Sequence, residues 1–170
     1  KVTTKDIPAV PRRDVDILFL IDDSGSMKEE QDSLRANFSK FMNVLETLDG
    51  GMPNVHIGVA TSDLGESATD GTVGTVGGTG CIGHGDDGAM RTAAMVNGPY
   101  ITDIDDGAGG RQTNYSGTLE DAFAALADVG INGCGIEQHL GGIERALSNP
   151  ANTGGLRKDP KPVSGALPAF

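Results

Sequence analysis

Three oxygen-bearing side chains alternate in a short loop near the start of the chain: Asp22, Ser24 and Ser26. They follow a nearly continuous apolar run, Val15–Ile21, whose length and branched residues predict a strand buried on both faces in the middle of a parallel sheet. A helical pattern starts directly afterwards, so the three side chains should lie at the carboxyl edge of the sheet, where open α/β sheets bind ligands. One carboxylate and two hydroxyls suit a small, hard cation such as Mg2+ or Ca2+ better than Zn2+.

Helix capping is a second interpretation of the same loop. Ser26 precedes Glu29 by three residues, which is the capping-box pattern. Such a cap stabilises a helix by about 1 kcal/mol and needs no metal. A capping hydroxyl can also face an ion, so both roles are open for Ser26.

The pattern Asp22-x-Ser24-x-Ser26 after a buried strand resembles the DxSxS signature of von Willebrand factor A (vWA) domains, the first loop of their metal-ion-dependent adhesion site. The stretch ILFLIDDSGSM, the long amphipathic helix after it and the stretch VHIGVATSD are similar to bacterial secreted members of that family. This likeness extends over roughly residues 14–147. It implies a doubly wound α/β fold in which these three side chains bind Mg2+ or Ca2+, with Mn2+ as a substitute.

The other two metal loops of the vWA family are matched less closely. The resemblance leads us to expect a threonine before the third helix, but this chain has the turn GINGCG, with Cys134 in it. Glu137 is the nearest oxygen donor and could replace the threonine as a metal ligand. No strand followed by an aspartate matches the third loop, so we expect the fold to be incomplete at its C-terminal end.

Patterning predicts the remaining organisation. Residues 1–13 read as an extended lead-in, 14–150 as the vWA-like domain with a long glycine-rich loop over 62–90, and 151–170 as a tail rich in proline and glycine. Three helices are predicted: Lys28–Leu48 with Leu34, Phe38, Phe41, Leu45 and Leu48 inward, Thr118–Val129 capped by Thr118, and Glu137–Leu147 with Leu140, Ile143 and Leu147 inward. Two further strands are predicted, over Val55–Val59 and around Ala94–Ile101. The second of these strands leads into a solvated acidic turn over Asp103–Gly107.

The two cysteines, Cys81 and Cys134, allow three interpretations. A disulfide between them would tie the glycine-rich loop across the top of the sheet, and it would indicate an extracellular, cell-surface or periplasmic location. With His84 and His139 they could instead form a Cys2His2 zinc set, although the Cys134–His139 spacing is unusual for one. Two free, unrelated thiols are the third interpretation.

Charge and spacing narrow the function classes. A net charge of −11 argues against nucleic acid and anionic membranes as partners, and no apolar run approaches the length of a membrane span. We expect a non-enzymatic recognition module whose cation engages an acidic group of a partner protein. The alternatives are an assembly subunit with a degenerate metal site and a Mg2+-dependent phosphotransferase of the haloacid dehalogenase type, which needs a second acid where Ser24 stands.

A partner is also expected from the sheet order that the resemblance implies. In that order, the second and third strands lie on one side of the strand Val15–Ile21. The other edge of this strand then has no neighbour from within the chain, and an exposed apolar edge invites pairing. We therefore expect another polypeptide, or another copy of the chain, to cover that edge. The alternative is that the missing strands and the third-loop aspartate belong to the same protein but lie outside this sequence.

Overall fold

The computed structural model describes residues 13–65, 81 and 83–148, and these form a mixed α/β domain. Its elements in chain order are β1 (Asp14–Ile21), α1 (Lys28–Glu46), β2 (Asn54–Thr61), β3 (Ile101–Asp105), β4 (Arg111–Thr113), α2 (Leu119–Leu126) and α3 (His139–Ser148). Residues 1–12, 66–80, 82 and 149–170 lie outside the described residues. They include all but the last residue of the predicted lead-in 1–13, much of the predicted loop 62–90 and the whole predicted tail 151–170.

The four strands form one open sheet in the order β1-β2-β3-β4. β1 and β2 are parallel, with Ile21 opposite Thr61, so both strands end at the same edge of the sheet. β3 runs antiparallel to β2 and β4 antiparallel to β3. None of the helices in the described part of the chain is long and apolar enough to cross a membrane.

The most deeply buried strand is β2 and not β1. From Val55 to Thr61 every residue of β2 is buried, whereas β1 is exposed over Asp14–Asp16 and only half-buried over Ile17–Leu20. The prediction that β1 is a central strand buried on both faces is therefore wrong. Within the described residues β1 has a neighbour on one side only, and β2 is flanked on both.

One face of the sheet is covered by α1 and α2 through an aromatic cluster. The rings of Phe38 on α1 and Phe123 on α2 stack with centroids 3.6 Å apart, and Phe19 of β1 packs against both. Of the predicted inward stripe of α1, Phe38 is buried, while Phe41 and Leu48 are exposed at 37% and 47%. Met42 is buried in their place. The helix thus turns the predicted stripe partly towards solvent.

Helix α3 approaches β1 and β2 through small residues. Its buried residues are Gly142 and Ala146, whereas Leu140 is 84% exposed and Ile143 is also exposed. The prediction that Leu140 and Ile143 face inward is therefore wrong. A side chain on Gly142 would place a Cβ 3.0 Å from both Leu20 Cδ1 and the Thr61 carbonyl oxygen, so any larger residue would require the helix or its neighbours to shift.

The segment between β2 and α2 differs most from the prediction. The third strand is Ile101–Asp105 and not Ala94–Ile101, where Val96 makes only an isolated bridge to Tyr115. The turn predicted over Asp103–Gly107 begins within this strand, and Asp103 is buried. The strand β4 has the sequence RQT, which carries no apolar pattern, and was not predicted.

Candidate functional site

The loop that joins β1 to α1 carries Asp22, Ser24 and Ser26 at the carboxyl edge of the parallel pair. It is a compact turn: the Ser24 N–H donates to Asp22 Oδ1 at 2.8 Å, and the Met27 N–H donates to the Ser24 carbonyl at 3.1 Å. Asp22 is half-buried, Ser24 buried and Ser26 exposed. The loop thus carries one carboxylate and two hydroxyls within five residues.

Ser26 does not cap the following helix. The N-cap of α1 is Met27, and no side chain makes a capping hydrogen bond there. The alternative interpretation of Ser26 and Glu29 as a capping box is therefore wrong, because the helix begins one residue later than that motif requires. The Ser26 hydroxyl thus has no role as a helix cap.

A second loop, Gly130–Cys134, lies against the first and is called the 130–134 loop below. The Gly133 N–H donates to the Asp23 carbonyl at 2.8 Å. A Cβ on Gly133 would lie 2.2 Å from Asp23 Oδ1, so the two loops pack with no room for a side chain. Glu137, the predicted additional ligand, is exposed three residues beyond Cys134.

The disulfide between Cys81 and Cys134 is confirmed. Both residues are completely buried, and the bond joins positions 53 residues apart. It ties the 130–134 loop to Cys81, which lies within the glycine-rich stretch 62–90 of the sequence. The zinc and free-thiol interpretations are wrong, since both sulfurs are used by the bond.

Three further carboxylates surround this edge: Asp23, Asp63 and Asp86. Burial, followed by the charges of Asp63 and Asp86, raises the pKa of Asp23 from 3.8 to about 6. The other two are hydrogen-bonded, since Asp63 Oδ1 accepts from the Gly65 N–H at 2.7 Å and Asp86 Oδ2 accepts from the Thr61 hydroxyl at 2.7 Å. Arg91 lies 3.6 Å from Asp86 and offsets part of this charge, but the carboxylates around Asp23 still favour a cation over an anion.

Two buried oxygen atoms at this edge have no hydrogen-bond partner among the described residues. They are Asp23 Oδ1 and Ser62 Oγ, and both residues are at least nine-tenths buried. Buried polar atoms in native proteins are nearly always paired, and unpaired ones mark bound water, ions or functional groups. Within the described ranges, no group of three His, Cys, Asp or Glu side chains is arranged to hold a metal ion. A cation at this edge would therefore need other oxygen ligands as well, such as hydroxyls, backbone carbonyls or water.

A groove of about 230 Å³ opens beside Asp22. It is lined by residues from the end of β1, from the first turns of α1 and from the start of α3. Its lining residues are Leu20, Ile21, Asp22, Met27, Glu30, Gln31, Leu34 and His139. The groove therefore connects the edge strand to the first candidate ligand.

Sequence reasoning missed Asp23, Ser62, Asp63 and Gln31 as members of this region. The sequence did carry a signal for Ser62 and Asp63, because both directly follow β2, a strand that is parallel to β1. Parallel strands end at one edge, so polar residues after β2 should lie near those after β1. Gln31 gave no signal, since its partner Gly130 is 99 residues away.

Comparison with known proteins gave no relative. The sequence matches no protein-family model, and neither the curated proteins nor the solved structures gave a match.

Proposed function

We propose that this chain is a non-enzymatic protein-recognition module with a vWA-type, doubly wound fold, and that it binds Mg2+ or Ca2+ through Asp22, Ser24 and Ser26. The observation that carries the proposal is the position of this loop. It stands at the carboxyl edge of the parallel pair β1–β2, and Ser26 is not used as a helix cap. The donor set fits a hard cation, and Mn2+ is the natural substitute for Mg2+.

The surrounding charges support a cation rather than an anion at this edge. Asp23, Asp63 and Asp86 would repel an anionic ligand, and the raised pKa of Asp23 reflects that mutual repulsion as well as burial. A cation bound by only three side chains keeps open coordination positions. A carboxylate of a partner protein can occupy one of them, so that the metal bridges the two proteins.

The edge of β1 is the second contact surface in this proposal. Its neighbour in the described residues lies on the β2 side, and Leu20 and Ile21 at the end of this strand line the groove beside Asp22. Another polypeptide, or another copy of the chain, would pair with this edge. Light scattering of the purified chain tests self-association. A defined oligomer would support pairing between copies of the chain. A stable monomer would exclude such pairing and leave a different polypeptide as the partner.

An assembly subunit without a working metal site is the second candidate. It is favoured by one observation, namely that Cys134 is buried in a disulfide where the vWA resemblance leads us to expect a metal-binding threonine. The disulfide also fits an extracellular, cell-surface or periplasmic location.

Calorimetric titration with Mg2+, Ca2+ and Mn2+ separates the two candidates. The recognition module predicts binding by the wild type and loss of binding in Asp22→Ala. The matched control is Asp105→Ala, because Asp105 Oδ1 also accepts the N–H two residues further on, at 2.7 Å, but lies in β3. Binding that is equal in all three proteins would contradict the assignment of Asp22. An absence of binding to the wild type would favour the assembly subunit.

A further inference from the structure

We propose that Gln31 is a positioning residue of the cation site: its side-chain amide joins the Asp22 loop to the 130–134 loop, and cation affinity depends on this connection. The inference rests on the proposed function, because the affected property is cation binding at Asp22. Gln31 itself is not a ligand in this proposal.

The contacts of Gln31 are specific. Its Nε2 donates to the Asp22 carbonyl at 2.8 Å and to the Gly130 carbonyl at 2.8 Å. Gln31 is only 4% exposed, and its own N–H is bonded to the Met27 carbonyl at 3.0 Å in the first turn of α1. A rigid helix therefore holds the amide in place between two loops.

The amide group is the chemical feature that this arrangement needs. A primary amide nitrogen has two N–H donors, and both are used here on carbonyl oxygens that face the same point. Without those donors, two partly buried carbonyl groups would lie close together, unpaired and mutually repulsive. They would separate, and the loops would move with them.

Movement of the Asp22 peptide would change the position of the Asp22 carboxylate, because both belong to one residue. The 130–134 loop resists such movement, since Gly133 is bonded to Asp23 and Cys134 is held by the disulfide. Gln31 passes this restraint to Asp22 directly. The 130–134 loop thereby contributes to the cation site without supplying a ligand.

The test compares Mg2+ and Mn2+ affinity in the wild type, Gln31→Met, Gln31→Glu and Gln138→Met. Gln31→Met removes both hydrogen bonds. We expect about tenfold weaker cation binding, because this loss should disfavour the cation-bound arrangement of the loop by about the net free energy of one hydrogen bond. Gln31→Glu keeps the shape but places an oxygen against both carbonyls, so its affinity should fall at least as far. Gln138→Met is the matched control, because Gln138 Nε2 also bridges to a backbone carbonyl, that of Gly65 at 3.0 Å, but does not touch the Asp22 loop.

A purely structural role would lower stability without changing the site. The electron paramagnetic resonance spectrum of bound Mn2+ is therefore recorded beside the unfolding midpoint. An altered Mn2+ spectrum and weaker binding in both Gln31 variants, with neither change in Gln138→Met, would support the proposal. Folded Gln31 variants with wild-type affinity would overturn it while leaving the proposed function intact. A wild type that binds no divalent cation would overturn both.

If neither Gln31 variant folds, hydrogen exchange of the wild type decides. Mg2+ binding should slow exchange in the 130–134 loop as well as in the Asp22 loop, because the two are joined. Slower exchange in the Asp22 loop alone would overturn the proposal.

Discussion

Two aspartates of this domain are buried to nearly the same extent but have opposite surroundings. Asp103 is 7% exposed and accepts a hydrogen bond from Arg111 Nε at 2.5 Å and another from the Tyr115 hydroxyl at 2.5 Å. Asp23 is 5% exposed, and its Oδ1 has no partner among the described residues. Asp103 thus has a cation beside it, while Asp23 has other carboxylates.

The two residues also lie at opposite ends of the sheet. Asp103 is opposite Val55, near the start of β2, and Asp23 follows β1 at the edge where β2 ends. A buried charge with full hydrogen bonding belongs to the folded framework, whereas a buried charge without a partner destabilises the fold. The buried carboxylate is therefore paired at the end of the sheet where Asp103 lies, called the hairpin end below, whereas the carboxyl edge has a buried carboxylate oxygen with no partner among the described residues.

The largest expected effect is at the hairpin end. Asp103→Asn removes the charge that pairs with Arg111 and should destabilise the domain by about 3 kcal/mol, the lower part of the range for breaking a buried pair, since Arg111 is partly exposed. Urea unfolding measures the change. A loss below about 1 kcal/mol would show that the buried pair at this end does not hold the hairpin.

The Asp23→Asn substitution should have the opposite sign. The pKa of Asp23 rises from 3.8 in the unfolded chain to about 6 in the fold, so between these values the folded protein binds the extra proton. The stability of the wild type should therefore fall as the pH rises from about 4 to about 6, and the loss persists at neutral pH.

Removing the charge abolishes this loss. At pH 7.5 in EDTA we expect Asp23→Asn to be more stable than the wild type by about 2 kcal/mol, less than the roughly 3 kcal/mol that the pKa shift represents, because the new amide lacks a partner. Urea unfolding across this pH range shows whether Asp23→Asn is more stable or less stable than the wild type. Asp103→Asn is the control, because its free energy of unfolding should still fall as the pH rises from about 4 to about 6. A destabilised Asp23→Asn at neutral pH would contradict the comparison.

Sequence patterns predicted the elements whose information is local. The apolar period of α1, the cap of α2 by Thr118 and the parallel pair of apolar strands were all visible in short windows, and Thr118 does accept a hydrogen bond from the Asp121 N–H. The Cys81–Cys134 bond was one of the three interpretations that the sequence allowed, and the structure confirms it.

The features that sequence reasoning missed depend on distant neighbours. The inner face of α3 follows from the closeness of Gly142 to Leu20, which a hydrophobic period cannot reveal. The polar strand β4 is held by its pairing with β3 and by the Arg111 contacts, and not by apolar alternation. For the same reason, the site loop was predictable as a motif, while the carboxylates around Asp23 and the bridge through Gln31 were not.

The smallest expected effect returns to the carboxyl edge of the sheet. Ser26 is exposed and does not cap α1. In EDTA, Ser26→Ala should therefore leave the free energy of unfolding in urea unchanged to within about 0.5 kcal/mol. Thr118→Ala is the matched control, since that hydroxyl does cap α2 at 3.1 Å and its loss should destabilise the domain by about 1 kcal/mol. With saturating Mg2+ the wild type should gain stability, because a cation that binds only the folded state stabilises it, and Ser26→Ala should gain less. If Ser26→Ala in EDTA lowered the free energy of unfolding as much as Thr118→Ala does, the Ser26 hydroxyl would be stabilising the folded domain. The contrast between the two ends of the sheet would then not extend to this residue.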